Sequence, residues 1–130
     1  MQRPANRTEG LRIRIVLAPG VAIGPGKADL LEAIHETGSL TASAARFAMS
    51  YKRAWTLVQE LNRAFDKLLV VTEKGGAGGG GTARLTPLGH RVLTRYREME
   101  RDADKAIRAG ISDLKRHLKG APAARKVARK

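Results

Sequence analysis

The sequence contains no cysteine, which excludes disulfides, thiolate catalysis and cysteine-ligated zinc. Aromatic residues are nearly as scarce. Two Phe, two Tyr and one Trp make up 4% of 130 residues, so a core must be built from Leu, Val, Ile and Ala. Acid is short too, with 12 Asp and Glu against 25 Lys and Arg. No apolar run approaches the ~18 residues of a membrane span, and the opening MQRPANRTEG lacks the apolar centre of a signal peptide. A reduced, cytoplasmic protein without membrane contact is expected. His35, His90 and His117 stand too far apart to read as a metal motif. No Ser-His-Asp or paired-carboxylate arrangement stands out, so no catalytic residue, metal or cofactor is expected.

What remains is a chain of one-domain length with 42% apolar residues, a formal charge of +13 and a pI near 11.1. Such a charge attracts polyanions, of which nucleic acid is the commonest. Residues 115–130 carry seven Lys or Arg and no acid, the composition of a disordered basic tail. Residues 1–10 show no periodicity and are expected to be flexible.

Between these ends the pattern is ordered. LRIRIVL (11–17) alternates Leu11, Ile13, Ile15 and Leu17 with Arg12, Arg14 and Val16, which predicts a strand with one buried face. APGVAIGPG adds turn signals. From Lys27 a helical stripe of Leu30, Leu31, Ala33 and Ile34 runs to Gly38, a left-handed C-terminal cap. Ser39 or Thr41 then starts a short helix with Ala42, Ala44, Ala45 and Phe47 facing inward. Ser50 caps a third helix reaching about Phe65, whose buried arc is Ala54, Val58, Leu61 and Phe65 with Leu57 at its edge. Its opposite face carries Lys52, Arg53, Thr56, Gln59, Glu60 and Arg63. Tyr51 and Trp55 are expected to pack beside the core and hold the helix end in place.

LLVVTEK (68–74) and TARLT (82–86) read as two strands joined by GGAGGGG. Thr86-Pro87 starts a long helix with a stripe of Val92, Tyr96, Met99, Ala103 and Ala106, the seam of a helix that pairs with another. Ile107, Ile111, Leu114 and Leu118 continue it with a one-residue shift near Gly110. Asp102, Asp104, Glu98 and Glu100 lie on that arginine-rich helix, where local ion pairs account for them. GVAIGPGKA fails as a phosphate-binding Walker A loop. Five residues separate Gly20 from Gly26, and Ala28 stands where the motif needs Ser or Thr.

The order strand, three helices, strand, glycine-rich tip, strand, long helix predicts a mainly α (α+β) winged helix-turn-helix with a short β-hairpin wing. The expected domains are 11–87 for DNA binding and 88–114 for dimerisation. GSLTASAARFAMSYKRAW (38–55) and GGAGGGGTARLTPLG (75–89) resemble the DNA-binding domain of the molybdate-dependent transcriptional regulators (the ModE family), whose winged helix is related to that of LysR-type regulators. The resemblance covers residues 11 to about 106. It implies that Ser50, Tyr51, Lys52 and Arg53 begin the recognition helix, that Thr41 opens the helix on the DNA backbone, and that the helix from Leu88 dimerises. The sequence departs from the family at Ala48, where glycine is usual. It also shows no room for molybdate-binding modules after the long helix, so molybdate or tungstate binding is not expected in this chain.

The combined reading is a homodimeric, sequence-specific regulator of transcription on double-stranded DNA with a roughly palindromic operator. The expected DNA-binding residues are Ser39, Thr41, Ser50, Tyr51, Lys52, Arg53, Thr56, Gln59, Arg63, Lys74 and Arg84, and the expected dimer face is Val92, Tyr96, Met99, Ala103 and Ala106. Two alternatives stand beside it: an architectural, nucleoid-associated protein without a defined operator, and a winged-helix module that binds protein.

Overall fold

A computed structural model describes residues 9–74 and 81–120. The expectations for residues 1–8, for the glycines at 75–80 and for the tail beyond 120 lie outside the described residues.

The chain folds as β1 (Ile15–Ala18), β2 (Val21–Ile23), α1 (Pro25–Thr37), α2 (Leu40–Arg46), α3 (Tyr51–Ala64), β3 (Val70–Glu73), β4 (Thr82–Leu85) and α4 (Pro87–Lys115). This is a mostly helical winged helix-turn-helix with two antiparallel hairpins, β1–β2 and β3–β4. The N-terminal strand is shorter than its alternation predicts. Leu11, Ile13 and Ile15 do face inward between exposed Arg12 and Arg14. The register then slips between Val16 and Ala18, and Leu17 is left exposed. The segment read as turns supplies the pairing strand, with Ile15 opposite Ile23.

One core unites the helices. α1 supplies Ala28, Leu30, Leu31 and Ile34, α3 supplies Ala54, Leu57, Val58 and Leu61, and α4 supplies Leu93 and Tyr96. Gly38 ends α1 in the left-handed region at φ 70°, as its position predicted. Ser39, not Thr41, caps α2, its hydroxyl accepting from the Ala42 amide at 3.0 Å. Within α2 the inward residues are Leu40, Ser43 and Ala44. Ala42 and Ala45, expected inside, are exposed. A helix of seven residues shows the core barely two turns, and Ser43 occupies the space at the crossing. Its hydroxyl is satisfied there by donating to the Ser39 carbonyl at 2.8 Å and lying 3.1 Å from the Thr37 hydroxyl.

Ala48 in the turn before α3 has φ 53°, the only non-glycine residue with positive φ among those described. The departure from glycine therefore falls where it costs most, about 1 kcal/mol of backbone strain.

Tyr96 needs correcting as a dimer-face residue. It is fully buried in its own chain, and its hydroxyl donates to the Ile13 carbonyl at 2.5 Å. Burial, followed by the nearby negative charge of Glu100, pushes the phenol up to about 12. Beside it, Arg97 donates to Asp29, Glu32 and Glu100 at 2.8–3.0 Å, fastening α4 to α1. Partial burial opposes that charge, but the hydrogen bonds to the three carboxylates outweigh it and raise the guanidinium above its ordinary value.

Candidate nucleic-acid interface

The helix-turn-helix consists of α2, the turn at 47–50, and α3. Ser50 caps α3, its hydroxyl accepting from the Arg53 amide at 3.0 Å. The apolar arc expected for this helix is the one it buries, with Phe65 half-buried at its end. The remainder is turned outward: Lys52, Arg53 and Arg63 are exposed, and Thr56 and Gln59 are half-buried between them.

Two features make this face cationic. No acidic residue lies in the first turn of α3, so Lys52 and Arg53 stand beside the positive end of the helix dipole, where cations are disfavoured. The acid on the outer face, Glu60, is drawn aside by Lys27 at 3.5 Å. Among the described residues, Lys52, Arg53, Arg63, Lys74 and Arg84 form no ion pair with a carboxylate. Five cations with free donors and no internal counter-charge make a surface suited to phosphate.

The wing is held against this helix by a residue the sequence reading passed over. Asn62 accepts from the Leu69 and Val70 amides at 2.8 and 3.1 Å and donates to the Val70 carbonyl at 3.1 Å. One side chain thus fixes the start of β3 against α3. The partners lie seven and eight residues away across a bend, and no one-dimensional pattern marks them. On the other strand, the Ala83 amide donates to the Gly38 carbonyl at 2.9 Å, tying the wing to the end of α1. Val71 lies opposite Arg84 and Glu73 opposite Thr82, so exposed Arg84 and Lys74 belong to the hairpin leading to the tip.

Not every expected contact residue has a free side chain. Ser39 and Ser50 are occupied as caps, while Thr41 is exposed on the first turn of α2. Tyr51 and Trp55 overturn their assignment as core supports: they are 54% and 46% exposed. The buried arc is already filled by Ala54, Leu57, Val58 and Leu61, and the spacing that brings Tyr51 and Trp55 beside it does not bring them under it. Of the expected dimer face, Val92, Met99 and Ala103 are half-buried and Ala106 is exposed. His35 and His90, far apart in sequence, meet edge to face with centroids 4.9 Å apart. No third His, Cys or carboxylate completes a metal site among the described residues.

No described helix is long and apolar enough to cross a membrane. No family model matches the sequence. The chain is similar to ModE proteins of several bacteria. It is 38% identical over 88 residues to the molybdenum transport protein ModE of Azotobacter vinelandii, covering 68% of this chain and 32% of that protein. It is 37% identical over 83 residues to the DNA-binding transcriptional dual regulator ModE of Escherichia coli K12, covering 64% and 31%. This chain spans about a third of the length of the curated relatives it matches. Among solved structures, ArgP from Mycobacterium tuberculosis is similar over 65% of this chain and 30% of its own, at 22% identity and a TM-score of 0.47.

Proposed function

We propose that this protein binds double-stranded DNA and regulates transcription as a homodimer, with α3 in the major groove. The observation that carries the reading is the outer face of α3, whose cations lack internal partners while the one acid among them is engaged by Lys27. The similarity to ModE proteins supports the same conclusion. In this reading Lys52, Arg53, Thr56 and Gln59 reach base edges, while Thr41, Arg63, Lys74 and Arg84 meet phosphates. Arg pairs bidentately with guanine and Gln with adenine, each good pair discriminating by ~1–3 kcal/mol. Phosphate contacts set orientation and salt dependence without reading sequence.

Dimerisation is assigned to the outer side of α4. Val92, Met99, Ala103 and Ala106 remain available there, and Tyr96 drops out. Exposed Leu17 and half-buried Leu88 border the same groove, so the β1–β2 hairpin adds to the surface offered to a second copy. Two copies would present paired recognition helices to half-sites about one or two helical turns apart.

Selection from random duplexes with the purified protein tests the reading, and a sharp two-fold motif is the expected result. Arg53→Ala should blur that motif. Removing residues 119–130 should weaken all duplexes evenly and flatten the dependence on salt. Enrichment of no motif would favour an architectural role, and absence of binding at physiological salt would favour a protein partner.

A further inference from the structure

Tyr51 and Trp55 are among the few large apolar side chains left exposed on the structure, and they lie one turn apart on the same helix as Lys52 and Arg53. Two aromatics a turn apart form a continuous ridge. Exposure of a large aromatic is costly in water, and these two contribute nothing visible to the core. At 100° per residue, positions 51, 55 and 62 share one flank of α3. Asn62 on that flank hydrogen-bonds β3. The ridge therefore runs along the wing-facing side of the helix, with unpaired Lys52 next to it and Arg53 on the far flank.

We infer that Tyr51 and Trp55 form an apolar reading surface for the C5-methyl groups of thymine in the major groove, a specificity element separate from the hydrogen-bonding side chains. The inference rests on the DNA-binding reading above. The charge next to the ridge selects the occupant: an apolar protein partner covering it would have to bury neighbouring Lys52 without counter-charge, whereas a duplex supplies phosphates for the cation and methyl groups for the rings. Thymine is the base that offers an apolar group in that groove, so the ridge would favour A·T pairs at the positions it covers.

The test uses the full chain and a duplex enriched by selection. Each thymine is replaced in turn by uracil, which keeps the base pair and removes only the methyl. Binding is followed by the anisotropy of labelled DNA, and separately by emission from Trp55, the sole tryptophan. The wild type is expected to lose about fourfold in affinity at one or two positions per half-site, the value of one methyl-sized group removed from contact. That penalty should vanish in Trp55→Ala or Tyr51→Ala, persist in part in Trp55→Phe, and be accompanied by a change in Trp55 emission when wild-type protein is saturated with DNA. Thermal melting of each variant checks that the exposed positions leave the fold intact. Undiminished binding to every uracil duplex, an equal uracil penalty in wild type and alanine variants, or unchanged emission at saturation would overturn the inference while leaving the DNA-binding reading in place. Failure to bind any duplex would remove both.

Discussion

The two halves of α4 carry the same kind of apolar stripe and meet different fates. In the first, Gly89, Leu93 and Tyr96 are buried and Arg97 is held by carboxylates of α1. In the second, Ile107 is 37% exposed and Leu114 68% exposed, and the ion pairs are exposed ones: Arg108 with Asp104, Arg116 with Asp113, and Lys115 with Glu9 from the start of the chain. A helix of 29 residues, roughly 43 Å long, outruns the core it starts in. Apolar periodicity tells which residues share a face. What that face meets is decided by residues suited to one neighbour only: a glycine with no room, a hydroxyl with one acceptor, a guanidinium among three acids. The first half has these and the second lacks them.

One substitution made in both halves gives the sharpest contrast, and the larger effect lies in the first. A Cβ built on Gly89 would stand 2.2 Å from the Leu69 carbonyl oxygen, a backbone atom that cannot swing aside. The same turn is held by the Thr86 hydroxyl, which accepts from the Gly89 amide at 3.0 Å and donates to the Leu68 carbonyl at 2.7 Å. Gly89→Ala must push α4 off β3, and a loss of about 3 kcal/mol or more is expected in denaturant unfolding. A loss below about 1 kcal/mol would mean that this junction yields easily.

The distinction also shows what the sequence made legible. Apart from β2, which lies in a segment carrying turn signals, the element order, the caps at Gly38, Ser50 and Thr86, the buried arc of α3 and the wing pairing follow from local signals, because capping and amphipathic periodicity act within a few residues. Contacts between distant segments left no such trace. Arg97 reaches residues 65 and 68 positions away, Lys27 meets Glu60, and Tyr96 is held by Ile13. The stripe of α4 predicts an outward Tyr96 only if it forms a single face, and the helix turns that stripe from core to solvent along its length. Tyr51 and Trp55 differ in the opposite sense: their placement beside the buried arc predicts core support, but aliphatic residues already fill that core and both rings are exposed.

Tyr96→Phe probes the first half more gently. It removes one hydroxyl and leaves the Ile13 carbonyl without that donor, for an expected loss of about 1 kcal/mol near neutral pH. The pH dependence carries a definite sign. The phenol ionises near 10 in the unfolded chain and near 12 in the fold, so between those values the folded state holds more protons. Stability should therefore fall as pH rises from about 10 to 12, with a slope approaching 1.4 kcal/mol per pH unit from this group. Below pH 10 its contribution is fully present. The difference between wild type and Tyr96→Phe isolates this contribution from that of every other group. An identical alkaline slope in both proteins would show that the hydroxyl is not held as described.

Gly110→Ala, the counterpart in the second half, should give the smallest effect and the opposite sign. Its added Cβ meets nothing within 4 Å, and the position lies inside the helix at ordinary φ. Alanine restricts the unfolded chain and shields the helical backbone, so a gain of up to about 1 kcal/mol is expected. The position also marks the shift in the apolar stripe, next to Ile107 and Ile111. A methyl there is therefore a probe for a second copy lying along this face. If the gain holds at every protein concentration, the neighbourhood of residue 110 is open to solvent in the proposed dimer as well. If it turns into a loss that deepens as concentration rises, another backbone approaches the glycine closely, and the distal half meets its neighbour as specifically as the first half meets β3.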